Sequence, residues 1–170
     1  MSYSTDNPDE GILDLGSLSS AAMRWKDAEG RAHRIGGPAI IANAGMLEWY
    51  YHGKRHRLDG PAVDAPEFQE WYRDGVRHRE GGPAVIYPTY QAYYCAGRLH
   101  RLAGPACVSL NKEGEVAYEN WAVAGKIVHN ESLKQWAKDN NIDPSTEDGL
   151  AFLLFELAAG LDLSSKYLER

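Results

Sequence analysis

Four heptads, "HRIGGPA", "HRLDGPA", "HREGGPA" and "HRLAGPA", begin at His33, His56, His78 and His100, at steps of 23, 22 and 22 residues. Ahead of each lies an aromatic (Trp25, Trp49, Trp71, Tyr93) and a glycine (Gly30, Gly53, Gly75, Gly97), and a worn fifth copy, "NWAVAGKIVHN", follows at 120–130. Self-similarity at this period means an array in which each copy stacks on the next, with an atypical copy where the stack ends. An active site is built once, so a motif copied four times is scaffolding first.

Within one copy, E-W-Y-x-x-G reads as a short aromatic strand entering a turn, and the residues after the glycine as the strand leaving it. Asp74 and Gly75 suit a two-residue turn that needs positive φ, and counting outward sets Arg73 against Val76, Tyr72 against Arg77, Trp71 against His78 and Glu70 against Arg79. The same count puts Trp49 opposite His56, Glu48 opposite Arg57 and Tyr93 opposite His100. A three-residue turn of Ala28, Glu29 and Gly30 restores Trp25 opposite His33 in the longer first copy. Trp49, His56, Trp71, His78, Tyr93 and His100 are thus structural repeat residues, with histidine expected to pack on the facing aromatic and arginine to meet glutamate. The G-P-A segment supplies a tight bend. The expected fold is mainly β, an antiparallel meander of β-hairpin repeats over 23–130 with an α-helical C-terminal tail.

The pattern W-Y-x-x-G-x-x-H-R-x-x-G-P-A resembles the repeat of a variant MORN-type family found in bacteriophage and giant-virus proteins. The resemblance implies an elongated, MORN-like sheet that acts in protein or lipid contacts, and it brings no shared catalytic residues. Tyr93 in place of tryptophan, Ala103 in place of an acidic residue and the worn fifth copy depart from the pattern.

Residues 131–170 change to a helical period. Ser132 and Gln135 form a capping-box pattern, Leu133, Trp136 and Ala137 a stripe, and Asn140 and Asn141 an end. A second helix is expected to start near Pro144 to Glu147, to carry "LAFLLFELAAG" and to stop at Gly160. Trp136, Phe152, Leu153, Phe155 and Leu157 are the residues expected to cap the sheet or to build a homo-oligomer. Residues 1–22 are expected to be flexible, with "ILDLGSL" able to dock.

Composition narrows the function classes. The 170 residues are 44% hydrophobic and 25% charged, which fits one compact domain or a domain with a small appendage. No apolar run reaches the ~18 residues that span a bilayer, and the N-terminus lacks a basic signal region, so no membrane is expected and a cytoplasmic chain is, in the host cell if the chain is viral. Cys95 and Cys107 lack metal-binding spacing and read as reduced thiols.

No GxSxG, HExxH, Walker loop, Rossmann fingerprint or Cys/His nucleophile arrangement is present, so neither enzyme activity nor a cofactor is expected. Equivalent histidines in successive hairpins stand roughly 9 to 10 Å apart, too far to share one metal, and no metal is expected. Residues 23–130 carry 14 Lys+Arg and 12 Asp+Glu, with net −4 on each flank, which makes nucleic acid an unlikely direct ligand. The function expected is a non-catalytic protein–protein interaction module, a phage-type protein that blocks a host factor such as a defence enzyme. Tyr50, Tyr51, Arg55, Tyr72, Arg73, Arg77, Tyr90 and Tyr94 are its partner-binding candidates, because tyrosine, tryptophan and arginine dominate interface hot spots. The alternative is a small anionic or nucleotide-like ligand held by the repeat arginines and aromatics.

Overall fold

The computed structural model describes residues 11–14, 22–101, 104–143, 146, 149 and 152. The chain divides into two compact units, Met1–Pro88 and Thr89–Arg170. The first holds β1 (Ile12–Leu13), β2 (Ala22–Lys26), β3 (Ile40–Ala42), β4 (Leu47–Glu48), β5 (Tyr50–Tyr51), β6 (Lys54–Arg55), β7 (Val63–Ala65), β8 (Phe68–Glu70), β9 (Tyr72–Arg73), β10 (Val76–Arg77) and β11 (Val85–Tyr87). There β1, β2, β3, β4, β7, β8 and β11 follow one another as an antiparallel meander, while β5/β6 and β9/β10 form separate two-stranded ribbons. The second unit repeats the plan with β12 (Tyr90–Ala92), β13 (Tyr94–Cys95), β14 (Arg98–Leu99), β15 (Cys107–Leu110), β16 (Val116–Val123) and β17 (Lys126–His129). Its meander runs β12, β15, β16, β17, with β13/β14 as the ribbon. The protein is mainly β; among the described residues it carries one short α-helix, α1 (Asn130–Asp139), and a single 3-10 turn at Asn43–Gly45. Within the segment expected to be flexible, Ile12 and Leu13 pair with Lys26 and Trp25.

The hairpin register follows from the turns. His52, Asp74, Ala96 and Ala124 take left-handed φ of 44°, 51°, 48° and 51°, and the glycine after each takes 79°, 86°, 78° and 87°. Two successive left-handed residues match the twist of the flanking strands and fix a two-residue loop. Val76 therefore faces Arg73, Arg77 faces Tyr72, and the His78 amide donates to the Trp71 carbonyl at 3.1 Å. In the first copy the Gly30 amide closes on the Asp27 carbonyl at 2.9 Å, and His33 meets Trp25 as counted.

The side-chain partners differ from those expected. The pairs Glu70 with Arg79 and Glu48 with Arg57 do not form: Glu70 binds Arg77 at 3.2 Å and Glu48 binds Arg55 at 2.8 Å. The ladder stops at His78 and His56, where the chain turns into the G-P bend. The arginine after each histidine instead lies on the aromatic of its own copy, with the guanidinium carbon 3.9, 4.0, 3.7 and 4.0 Å from the ring centres of Trp25, Trp49, Trp71 and Tyr93. Arg34, Arg57, Arg79 and Arg101 also donate to the carbonyls of Pro38, Pro61, Pro83 and Pro105. The glycine before each proline leaves room for that guanidinium; a Cβ on Gly60 would lie 2.8 Å from the guanidinium carbon of Arg57. The alanine after each proline is fully buried, and its carbonyl accepts the amide of the aromatic.

The histidines join successive copies, through their ring nitrogens rather than by the expected packing on the aromatic. The amides of His52, Asp74 and Ala124 donate to Nδ1 of His33, His56 and His100 at 3.1, 3.2 and 3.0 Å. Next to them, the amides of Gly53, Gly75 and Gly125 donate to the carbonyls of Ala32, Arg55 and Leu99. Both outward amides of a turn are thus satisfied by the copy before it.

Helix α1 starts at Asn130, two residues before the expected Ser132 cap. Ser132 therefore lies inside the helix rather than at its cap, which corrects the capping-box reading, and Gln135 donates to Asp139 at 2.7 Å. β17 runs straight into the helix, which leaves no separate cap. The other end is as read: Asn141 has φ 54°, and the amides of Asn141 and Ile142 close on the carbonyls of Lys138 and Ala137, a Schellman ending. Trp136 and Ala137 are buried, and Trp136 stacks on Phe152 at 6.3 Å. The rest of the expected second helix, including Leu153, Phe155 and Leu157, lies outside the described residues. No helix among the described residues is long and apolar enough to cross a membrane.

Two outcomes test this packing. Gly60→Ala should lower stability by about 1–2 kcal/mol in urea denaturation, and that cost should largely vanish in an Arg57→Ala background if the guanidinium is what the new methyl displaces. His100→Phe should cost about 0.5–1.5 kcal/mol, the net worth of one hydrogen bond, because the exposed Ala124 amide can turn to water.

Candidate functional site

The alternation of the first unit's strands sorts its side chains onto two sides. Glu48, Val63, Glu70 and Val85 face one another in register and share one side with Tyr50 and Tyr72. Here the buried Glu70 accepts hydrogen bonds from the Tyr72 hydroxyl at 2.6 Å, from the Tyr87 hydroxyl at 2.9 Å and from Arg77. Burial alone would raise the Glu70 carboxyl, but these donors outweigh it and hold the group below its usual range. Glu48 is bound in the same way by Tyr50 and Arg55. Arg55 lies between the rings of Tyr50 and Tyr72, at 5.9 and 5.5 Å, and Arg77 lies 5.8 Å from Tyr72.

This places four of the expected partner-binding residues in one internal network. Tyr72 is only 9% exposed and belongs to the core with Ala62, Val63, Met46 and Phe68. Tyr50, Arg55 and Arg77 are half-buried, their polar ends directed at Glu48 and Glu70. In the second unit Tyr90 and Tyr94 are also half-buried. Tyr51 and Arg73 stand out, each 48% exposed, on the opposite side of their ribbons, facing Lys54 and Val76 across the strand pair.

That second side carries features the sequence did not single out. In the first three copies the two residues between H-R and G-P form the tip of the bend, which leaves Ile35 and Leu58 exposed, Leu58 to 72%. Between the second and third bends lies a surface cleft of about 500 Å³ lined by Arg57, Leu58, Pro61, Trp71, Arg73 and Arg79 among others. The signal available in the sequence was the variability of the tip: isoleucine, leucine, glutamate and leucine occupy the same repeat position.

One further cluster brings Asp27, Glu29 and His52 together at distances that could suit a metal ion. The Arg31 guanidinium already fills it, binding Asp27 at 2.8 Å and Glu29 at 2.9 Å and lying 3.2 Å from His52 Nδ1. Desolvation disfavours the Asp27 anion, yet the hydrogen bonds from His52 and Arg31 prevail and hold its carboxyl well below the usual carboxylate range. A cation already present in covalent form makes this an ion-pair knot across the first turn. Cys107 is buried, which pushes its thiol up and away from nucleophilic use.

No protein-family model, curated protein or solved structure matches the chain.

Asp27 and Glu70 both have folded pKa values below their unfolded ones, so each contributes stability that is complete above the unfolded range near pH 4 and is lost as pH falls through the lower folded value. The urea midpoint should therefore drop steeply below about pH 4. Glu70→Gln should be weaker at neutral pH, by about 1–3 kcal/mol, and should show a shallower acid loss.

Proposed function

We propose that the chain is a non-catalytic interaction protein, a rigid repeat platform that engages a protein partner through one side of its ribbons and bends. One observation carries this reading. In the first unit the groups best suited to chemistry are engaged inside the scaffold: His33 and His56 on turn amides, Glu48 and Glu70 on tyrosine and arginine, Arg57 and Arg79 on tryptophan rings. Outward stand Tyr51, Lys54, Arg73, Val76, Ile35 and Leu58 together with the carboxylates of Glu29, Asp59, Asp74 and Glu80, a mixture of aromatic, charged and aliphatic groups. Such a surface suits recognition, in which a few fixed side chains supply most of the binding energy.

The finer proposal is that the partner is a host factor, such as a defence enzyme, occluded by a phage-type protein with MORN-like repeats. The acidic flanks, net −4 on each side, favour a basic surface on that partner. The helical tail is proposed to take part in self-association or capping.

Affinity capture of the tagged chain from a lysate of the cells that naturally contain it tests the reading, with Tyr51→Glu alongside. One protein in stoichiometric amount, lost with Tyr51→Glu while the variant still unfolds cooperatively, at a melting temperature lowered by the loss of the ring's packing on His33, His52 and His56, is the expected result. An empty capture by folded wild type, together with a melting temperature raised by nucleotides or other small anions, would move the assignment to the ligand-binding alternative.

A further inference from the structure

The cleft between the second and third bends differs from its counterpart one copy earlier at four positions, Ile35 becoming Leu58, Gly36 Asp59, Leu58 Glu80 and Tyr51 Arg73, and the last of these supplies a cation. In the earlier copy the position is Tyr51, whose ring folds back onto the histidines, 5.1 Å from His33, 4.5 Å from His52 and 6.0 Å from His56. In the later copy it is Arg73, which lines the cleft and stays 48% exposed, with its nearest carboxylate, Glu80, 3.7 Å away and itself 80% exposed. The other two arginines of the cleft are held: Arg57 between Trp49, the Pro61 carbonyl and Asp59, and Arg79 between Trp71 and the Pro83 carbonyl. Around them lie Leu58, Pro61 and Trp71, an apolar wall beside a cation with a weak, displaceable partner.

From this we infer that the cleft is a docking site for an extended segment of a partner protein that carries a carboxylate next to an apolar side chain. The carboxylate takes the Arg73 guanidinium in place of Glu80, and the apolar side chain covers Leu58 and Pro61. Three arginines against Asp59 and Glu80 leave the cleft one positive charge in excess. A single carboxylate balances that charge, whereas a polyphosphate would bring several charges against two rim carboxylates. A carboxylate also matches the planar fork of a guanidinium in a two-point hydrogen bond. The inference rests on reading the chain as an interaction protein and names the chemistry of what it binds.

The test is selection of random twelve-residue peptides displayed against the immobilised full chain, followed by fluorescence anisotropy of the enriched sequences. Enriched peptides should place Asp or Glu within two residues of Leu, Ile, Phe or Trp. Arg73→Ala should weaken their binding at least tenfold, Leu58→Ser several-fold, and Glu67→Ala, exposed and outside the cleft, not at all, with melting temperatures unchanged because all three side chains are largely outside the core. The inference is overturned if nothing is enriched, if the enriched peptides lack acids, if they bind Arg73→Ala as tightly as wild type, or if pyrophosphate binds the cleft more tightly than they do. Lysate capture of one protein that Arg73→Ala retains would leave the interaction reading standing and remove this cleft from it.

Discussion

A two-residue turn built from successive left-handed residues leaves both of its own amides pointing away from the hairpin, and an amide that finds no acceptor away from water costs about as much as a lost hydrogen bond. In this chain those amides are given to the preceding copy, one to an imidazole Nδ1 and one to a backbone carbonyl. The arrangement ties the turn to the fold in both directions. Without the preceding histidine the turn amide has only water to turn to, and at His52 only partly, and without the turn the histidine loses the donor that fixes its ring. A hairpin of two-residue strands has little stability alone, so this exchange between copies is what makes the array possible.

The arginine that follows each histidine completes the unit. It covers the face of the tryptophan or tyrosine that a thin sheet cannot bury, and its second bond, to the proline carbonyl, closes the bend. The side chains of Arg31, Lys54 and Arg98 then lie across the glycines of the following turns, at 3.4 to 3.6 Å from where a Cβ would stand. Long polar side chains thereby do the work of a hydrophobic layer, their stems over apolar or glycine surface and their heads toward solvent or a bonded partner. This explains how a chain with mean hydropathy of −0.49 builds an ordered sheet whose most deeply buried residues include small alanines and a histidine.

Much of this was legible because backbone counting is arithmetic. Residue types at the turns gave φ, φ gave loop length, and loop length gave the pairing of Tyr72 with Arg77 and of Trp71 with His78. The failures share one physical cause. Pairing across a ladder was extended beyond its last rung, to Glu70 with Arg79, where the chain had already left the sheet, and the histidine was assigned to its own copy when its acceptor nitrogen serves the next one. Contacts between copies have no signature in a single copy's pattern. The same limit hid the network around Glu70: nothing in the spacing of Tyr72, Arg77 and Tyr87 shows that all three reach one carboxylate.

Comparison of the copies with one another separates scaffold from surface more sharply than exposure does. Positions that recur, the aromatic, the turn glycine, H-R and G-P-A, are those whose atoms touch another bend, turn or copy. Among the positions that change, the bend tip has no such duty, Ile35 becoming Leu58 and then Glu80, while the ribbon positions change even where one copy's residue reaches a neighbour: Tyr51 becomes Arg73 and then Cys95, and Lys54 becomes Val76 and then Arg98. Each changing position sits on a backbone fixed by its invariant neighbours, so a substitution there alters what the surface presents without altering how it is held. An array of this kind can place different side chains at a regular spacing of about two strand widths, roughly 9 to 10 Å, and present them at little conformational cost. Recognition by such a protein is therefore written in the residues that break the repeat.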